Sequence, residues 1–155
     1  MLWWPNTAMT DRPVLFDVNA LVALCVTNHV RHHDAHAFLS GVSRWATCPL
    51  TEAGLFRLIL NPLIVGAQRS VQEVHAVVGG FRADPRWEFL ADRTTLADPQ
   101  VETRVLQGHR QVTDLHLINL ARQEGAVLAT FDRALPDWLD PRDRPLALLI
   151  QSREG

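Results

Sequence analysis

The sequence predicts an α/β domain built on a parallel sheet with helices on both faces. Three observations carry this expectation. Short apolar runs alternate with helix-like segments along the whole chain. The runs VLF, AVLAT and LALLI lack the apolar–polar alternation of a half-exposed strand, so they read as strands buried on both faces. The segments between them suit crossover helices, which makes right-handed βαβ connections the default.

The elements follow in order. Val14-Leu15-Phe16 is the first strand and ends at Asp17. Asn19 opens a helix through ALVALCV, and residues 31–40 form a second helix stopped by Gly41. Residues 45–48 are a short strand closed by Pro49. Residues 51–60 (TEAGLFRLIL) form a helix ended by Asn61-Pro62. Ser70 caps a helix over 70–78, ended by Gly79-Gly80. Residues 87–90 are a strand and 99–107 a short helix. Thr113 caps the helix DLHLINLARQE, which Gly125 stops. Residues 126–130 are a buried strand leading to Asp132, and residues 146–150 are the last strand.

The length of 155 residues fits one domain, expected over 13–151, with a leader over 1–12 and a short tail over 152–155. Cys25 and Cys48 match neither a disulfide framework nor a zinc module and read as small buried hydrophobes. No apolar stretch approaches the roughly 20 residues of a membrane span. The start MLWWPNTAMTDRP has no basic n-region, so the expected location is the cytoplasm, with secretion left open. All 15 basic residues are Arg and the formal charge is −2. A net acidic chain advertises nucleic-acid binding poorly, unless several acids sit together under a cation.

In parallel α/β sheets, ligands bind outside the carboxyl ends of the strands. Asp17, Asp132 and Glu52 all fall at strand-to-helix junctions on that edge. Asp114 stands in the first turn of the helix that feeds the 126–130 strand. Acids in first turns are often only caps, worth about 0.3–1 kcal/mol. Asp17 and Asp132, however, are embedded in or follow the most apolar stretches, VLFDVNALVAL and AVLATF. A buried carboxylate needs a partner. Four acids in one pocket, about 5–6 Å apart, would repel at roughly 3 kcal/mol per pair, so the cluster must take up protons or a cation. An all-oxygen donor set selects Mg²⁺ or Mn²⁺.

VLFDVNALVAL, HVRHHDAHAFL, TEAGLFRLI, TDLHLINLA and AVLATFDRAL occur here in the order seen in PIN-domain ribonucleases. The chain most resembles the VapC-type toxins of bacterial toxin–antitoxin systems over about residues 13–150. The resemblance implies a three-layer α/β/α fold with a central, mostly parallel sheet. It implies a Mg²⁺- or Mn²⁺-dependent endoribonuclease that acts on structured RNA, such as tRNA or rRNA, at an accessible loop. The family's four acids fall on Asp17, Glu52, Asp114 and Asp132. Asp17, Asp114 and Asp132 would hold the metal, and Glu52 would orient or deprotonate water. Asn19 and Thr130 would hold the carboxylates. A cognate VapB-like antitoxin and a homodimer are the partners implied, with the apolar helices over 51–60 and 70–78 as candidate faces.

Arg57, Arg110, Arg122 and Arg133 lie near the acid-bearing segments and are candidate RNA contacts. His29, His32, His33 and His36 are spaced as one helix face, which reads either as an accessory metal site or as a polar helix start. Receiver domains and haloacid-dehalogenase-type phosphatases need a Lys that this chain lacks. A catalytically silent scaffold of the same fold and a DNA-acting nuclease stay open as alternatives.

Overall fold

A computed structural model describes residues 11–152. Most of the expected leader, with Trp3 and Trp4, and most of the expected tail lie outside the described residues. Five strands, all parallel, form one sheet in the order β3-β2-β1-β4-β5. They are β1 (Val14–Phe16), β2 (Trp45–Thr47), β3 (Trp87–Phe89), β4 (Val127–Thr130) and β5 (Ala147–Leu149). The register places Leu15 opposite Ala46 on one side and Leu128 on the other. Among the described residues there are seven α-helices: α1 (Val18–Cys25), α2 (His32–Ser40), α3 (Pro49–Ile59), α4 (Pro62–Val65), α5 (Val71–Phe81), α6 (Val112–Glu124) and α7 (Ala134–Trp138). None is long and apolar enough to cross a membrane.

Strand alternation splits the core in two. Val14 and Phe16 face α1, α2, α3 and α5, where Leu21, Phe38, Leu55 and Val74 are buried. Leu15 and Leu128 face the other way, against Leu115, Ile118 and Leu135 of α6 and α7. The three layers expected from the family resemblance are therefore present.

Several element ends differ from the sequence reading, each for a local reason. Pro49 opens α3 rather than merely closing a strand. It occupies the first helical turn, while Cys48 caps the helix and the Thr51 hydroxyl accepts from the Cys48 amide. Gly79-Gly80 does not end α5, which runs on so that Phe81 packs edge-to-face against Trp45 at 5.2 Å. Thr113 is not a cap: α6 continues from a 3-10 turn at His109–Gln111, and Gln111 precedes its first residue. The helix expected over 99–107 shrinks to a 3-10 turn at Thr103–Val105. The two short helices α4 and α7 were not foreseen. Asn61 caps α4 by accepting from the Leu63 amide.

Cys48 is buried, Cys25 is partly buried and both are free thiols. Burial pushes the Cys25 thiol up to about 12.

The histidine segment is a latch rather than a single ligand face. His29 precedes α2 and accepts from the Arg31 amide. His32 Nδ1 donates to the Ala23 carbonyl at 2.8 Å, and His36 Nε2 donates to the Leu24 carbonyl at 2.9 Å. Both acceptors belong to the last turn of α1, whose carbonyls lack helical partners.

Gly54 sets how closely α3 approaches α1. A Cβ there would lie 2.5 Å from Val18 Cγ2 and 3.3 Å from Val18 Cβ, a stiff β-branched side chain. Gly54→Ala is expected to destabilise by about 1–2 kcal/mol, the overpacking cost less the gain in helix propensity. Urea titration checks this. Adding Val18→Ala should recover most of the loss, and a double variant no better than Gly54→Ala would exclude the clash as its cause.

Candidate active site

Topology brings the acids to one edge. β2, β1 and β4 are consecutive in the sheet, so their carboxyl ends stand about 4.8 Å apart. Asp17 follows β1, Asp132 lies two residues past β4, and Glu52 is in the first turn of the helix after β2. α6 precedes the parallel strand β4, so it must start at the same edge, and Asp114 is in its first turn.

Asp17 is 5% exposed and caps α1, accepting from the Ala20 amide at 2.7 Å. It also accepts from the Thr130 hydroxyl. The same Thr130 oxygen accepts from the Asp132 amide at 3.0 Å, so one buried hydroxyl ties the two aspartates together. Asp132 is exposed and accepts from the Ala134 amide at the start of α7. Asp114 is partly buried. Glu52 is tied to a different hydroxyl: Thr47 donates to its Oε1 at 2.7 Å and accepts from the Trp87 indole at 3.1 Å. Thr47 and Trp87 were not singled out by sequence. Their signal was only position, one at the end of β2 and one on the neighbouring strand.

Asn19 lies exposed in the first turn of α1 and makes no hydrogen bond to the acids among the described residues. Arg57, Arg110 and Arg133 are exposed, and none is ion-paired among the described residues. Arg122 departs from expectation. It sits in the last turn of α6, about 12 Å along the helix from Asp114, and is bound to the Asp143 carboxylate at 2.6 Å. Arg31, overlooked in the sequence, places its guanidinium 4.9 Å from the ring centroid of Phe131, which adjoins Asp132.

Burial pushes the Asp17 carboxyl up to about 6, and the Asp114 and Asp132 carboxylates add to this while the Thr130 and Ala20 hydrogen bonds oppose it. Burial likewise pushes Asp114 up to about 6, again with Asp132 adding to it. The three aspartates thus feel one another, and among the described residues none has an arginine partner. As the side chains stand, no three acid, His or Cys groups among the described residues are drawn tightly enough to hold an ion. The oxygen donor set fits a hard divalent cation in kind.

The sign of the pH effect follows. For an acid whose folded pKa is raised, the stabilising contribution is complete below 3.8 and is lost as pH rises through about 6. For Asp17 the loss is on the order of 3 kcal/mol. In EDTA, Asp17→Asn is therefore expected to melt higher than the parent at pH 7, and the gap should close at pH 4. Thermal denaturation at the two pH values checks this, and equal melting at pH 7 would remove the strain argument.

Residues 14–138 match the family described as PIN domain. Three proteins of Mycobacterium tuberculosis are similar over most of their length. The chain is 42% identical to "Ribonuclease VapC38" over 138 residues, covering 87% of this chain and 96% of that protein. It is 40% identical to "Ribonuclease VapC29", covering 79% of this chain and 87% of that protein. It is 36% identical to "Ribonuclease VapC39", covering 79% and 91%. With the parallel sheet and the acids at its carboxyl edge, this similarity makes the chain a VapC-type member of the PIN-domain ribonuclease family.

Proposed function

We propose that the chain is an endoribonuclease toxin that depends on Mg²⁺ or Mn²⁺ and acts in the cytoplasm. The observation that carries this reading is the group of three mutually repelling aspartates that have no arginine partner among the described residues. Asp17, Asp114 and Asp132 would hold the metal, with Thr130 fixing Asp17 against the backbone of Asp132. The bound ion would polarise a water and offset charge building on the phosphate. Glu52, oriented by the Trp87–Thr47 relay, takes the proton of the attacking water. Attack in line on phosphorus breaks the bond to the 3′ oxygen, which takes a proton from solvent, leaving a 3′-hydroxyl and a 5′-phosphate. Arg31, Arg57, Arg110 and Arg133, which carry no ion pair among the described residues, steer the RNA backbone. The substrate class is structured cellular RNA, such as tRNA or rRNA, cut at an accessible loop.

A VapB-like antitoxin is the proposed inhibitor, and a homodimer the proposed state. The exposed Leu60, Leu63, Ile64 and Val71, from the end of α3 to the start of α5, support a protein-binding face there.

Two measurements test the reading. Total RNA and DNA are incubated with the protein in Mg²⁺, Mn²⁺ or EDTA. RNA cleavage is expected with either ion, none in EDTA, and a loss of at least a hundredfold in Asp17→Asn and Asp114→Asn. Cleavage of DNA alone would assign the fold to a different substrate, and an active Asp17→Asn protein would remove the site. The melting temperature of the parent should rise with either ion, and that of Asp17→Asn should rise much less.

A further inference from the structure

An open groove of about 680 Å³ runs beside the acidic edge, within the range of small-ligand sites. Leu50 and Ala53 of α3, Leu96 from the loop after β3, and Val112 of α6 supply apolar walls. His116 and Asp92 supply its polar part. The imidazole is held firmly. Asp92 accepts from the Thr94 amide at 2.9 Å and the Thr94 hydroxyl at 2.7 Å, and its other oxygen lies 2.5 Å from His116 Nε2. Facing a carboxylate, Nε2 carries the proton, and Nδ1 has no partner among the described residues.

The groove and two of the acids share the same helix starts. Ala53 directly follows Glu52 in the first turns of α3, and Thr113, another lining residue, directly precedes Asp114 in the first turn of α6. The positive end of the α6 dipole stands at its rim. An occupant that suits all three features has a flat apolar face for the walls, a hydrogen-bonding edge for the imidazole and an anionic group for the helix end. An unpaired nucleotide has each of these. An apolar protein side chain satisfies only the first.

We propose that this groove receives an unpaired base of the RNA next to the bond being cut, with His116 as a base contact and Asp92 as the residue that orients it. The proposal rests on the reading of the acids as an RNA-cleaving site. Bases splayed out of a loop are recognised by packing of their faces and hydrogen bonding on an edge, and here aliphatic walls and one imidazole supply those two parts. The groove then decides which nucleotide flanks the cut, and the acids decide only that a phosphodiester is cut.

The test separates binding from cleavage. Labelled short oligouridine strands that carry A, C, G or U at one central position are titrated against the parent in EDTA, with affinity read by fluorescence anisotropy. Ala53→Leu, on the exposed rim, narrows the groove without disturbing the core. It should weaken binding about tenfold with an unchanged melting temperature. His116→Ala should level the parent's preference among the four central bases, and His116→Gln, which retains a hydrogen-bonding edge, should restore part of it. In Mg²⁺, Ala53→Leu should raise KM with kcat nearly unchanged. Unchanged affinity in Ala53→Leu, or an unchanged base preference in His116→Ala, would overturn the groove assignment. An active Asp17→Asn protein would instead overturn the reading of the acids, leaving the binding results to judge the groove by themselves.

Discussion

Three carboxylates press on one another at the end of a parallel sheet, and no arginine among the described residues answers them. Much of the surrounding structure can be understood as holding that arrangement. Asp17 is buried where, among the described residues, the Ala20 amide of α1 and the Thr130 hydroxyl hold its carboxylate. That cost is bearable because the rest of the chain invests ordinary packing on both sheet faces. The arginines are elsewhere: Arg122 with Asp143, Arg86 with Asp84 and Arg104 with Glu102. Arg31, Arg57, Arg110 and Arg133 carry no ion pair among the described residues, and none of them closes on the acids, which leaves the acidity of the edge intact.

Position at this edge comes from backbone topology, and orientation comes from hydroxyls. The parallel strands deliver Asp17, Glu52 and Asp132 to neighbouring places, and the antiparallel approach of α6 delivers Asp114. Thr130 and Thr47 then fix the carboxylates, each hydroxyl donating to an acid while accepting from a second group. Gly54 adds the last constraint by letting the helix that carries Glu52 lie against the residue after Asp17.

The strands and the acids were legible because buried parallel strands write themselves as unbroken apolar runs, and acids at the ends of such runs are out of place. Asp114 was legible only through family resemblance, since its approach depends on how α6 packs. What stayed hidden has physical causes. Gly79 and Gly80 look like a stop, yet the buried Phe81 outweighs their poor helix propensity. Arg122 is close to the acid-bearing segment in sequence, but a helix carries it away along its axis. The Thr47–Trp87 relay spans two strands, and no local pattern reports a partner 40 residues distant.

α1 is held at both ends, by side chains of opposite chemical character. At its start sits Asp17, whose charge changes as protons arrive. At its far end His32 and His36 each donate an N–H to a carbonyl. The carboxylate answers exposed amides at one end of the helix and the rings answer exposed carbonyls at the other, so α1 is closed at the two places where a helix frays. The residue that leads into the acidic edge therefore sits on a helix that cannot unwind from either end without first losing a side-chain hydrogen bond.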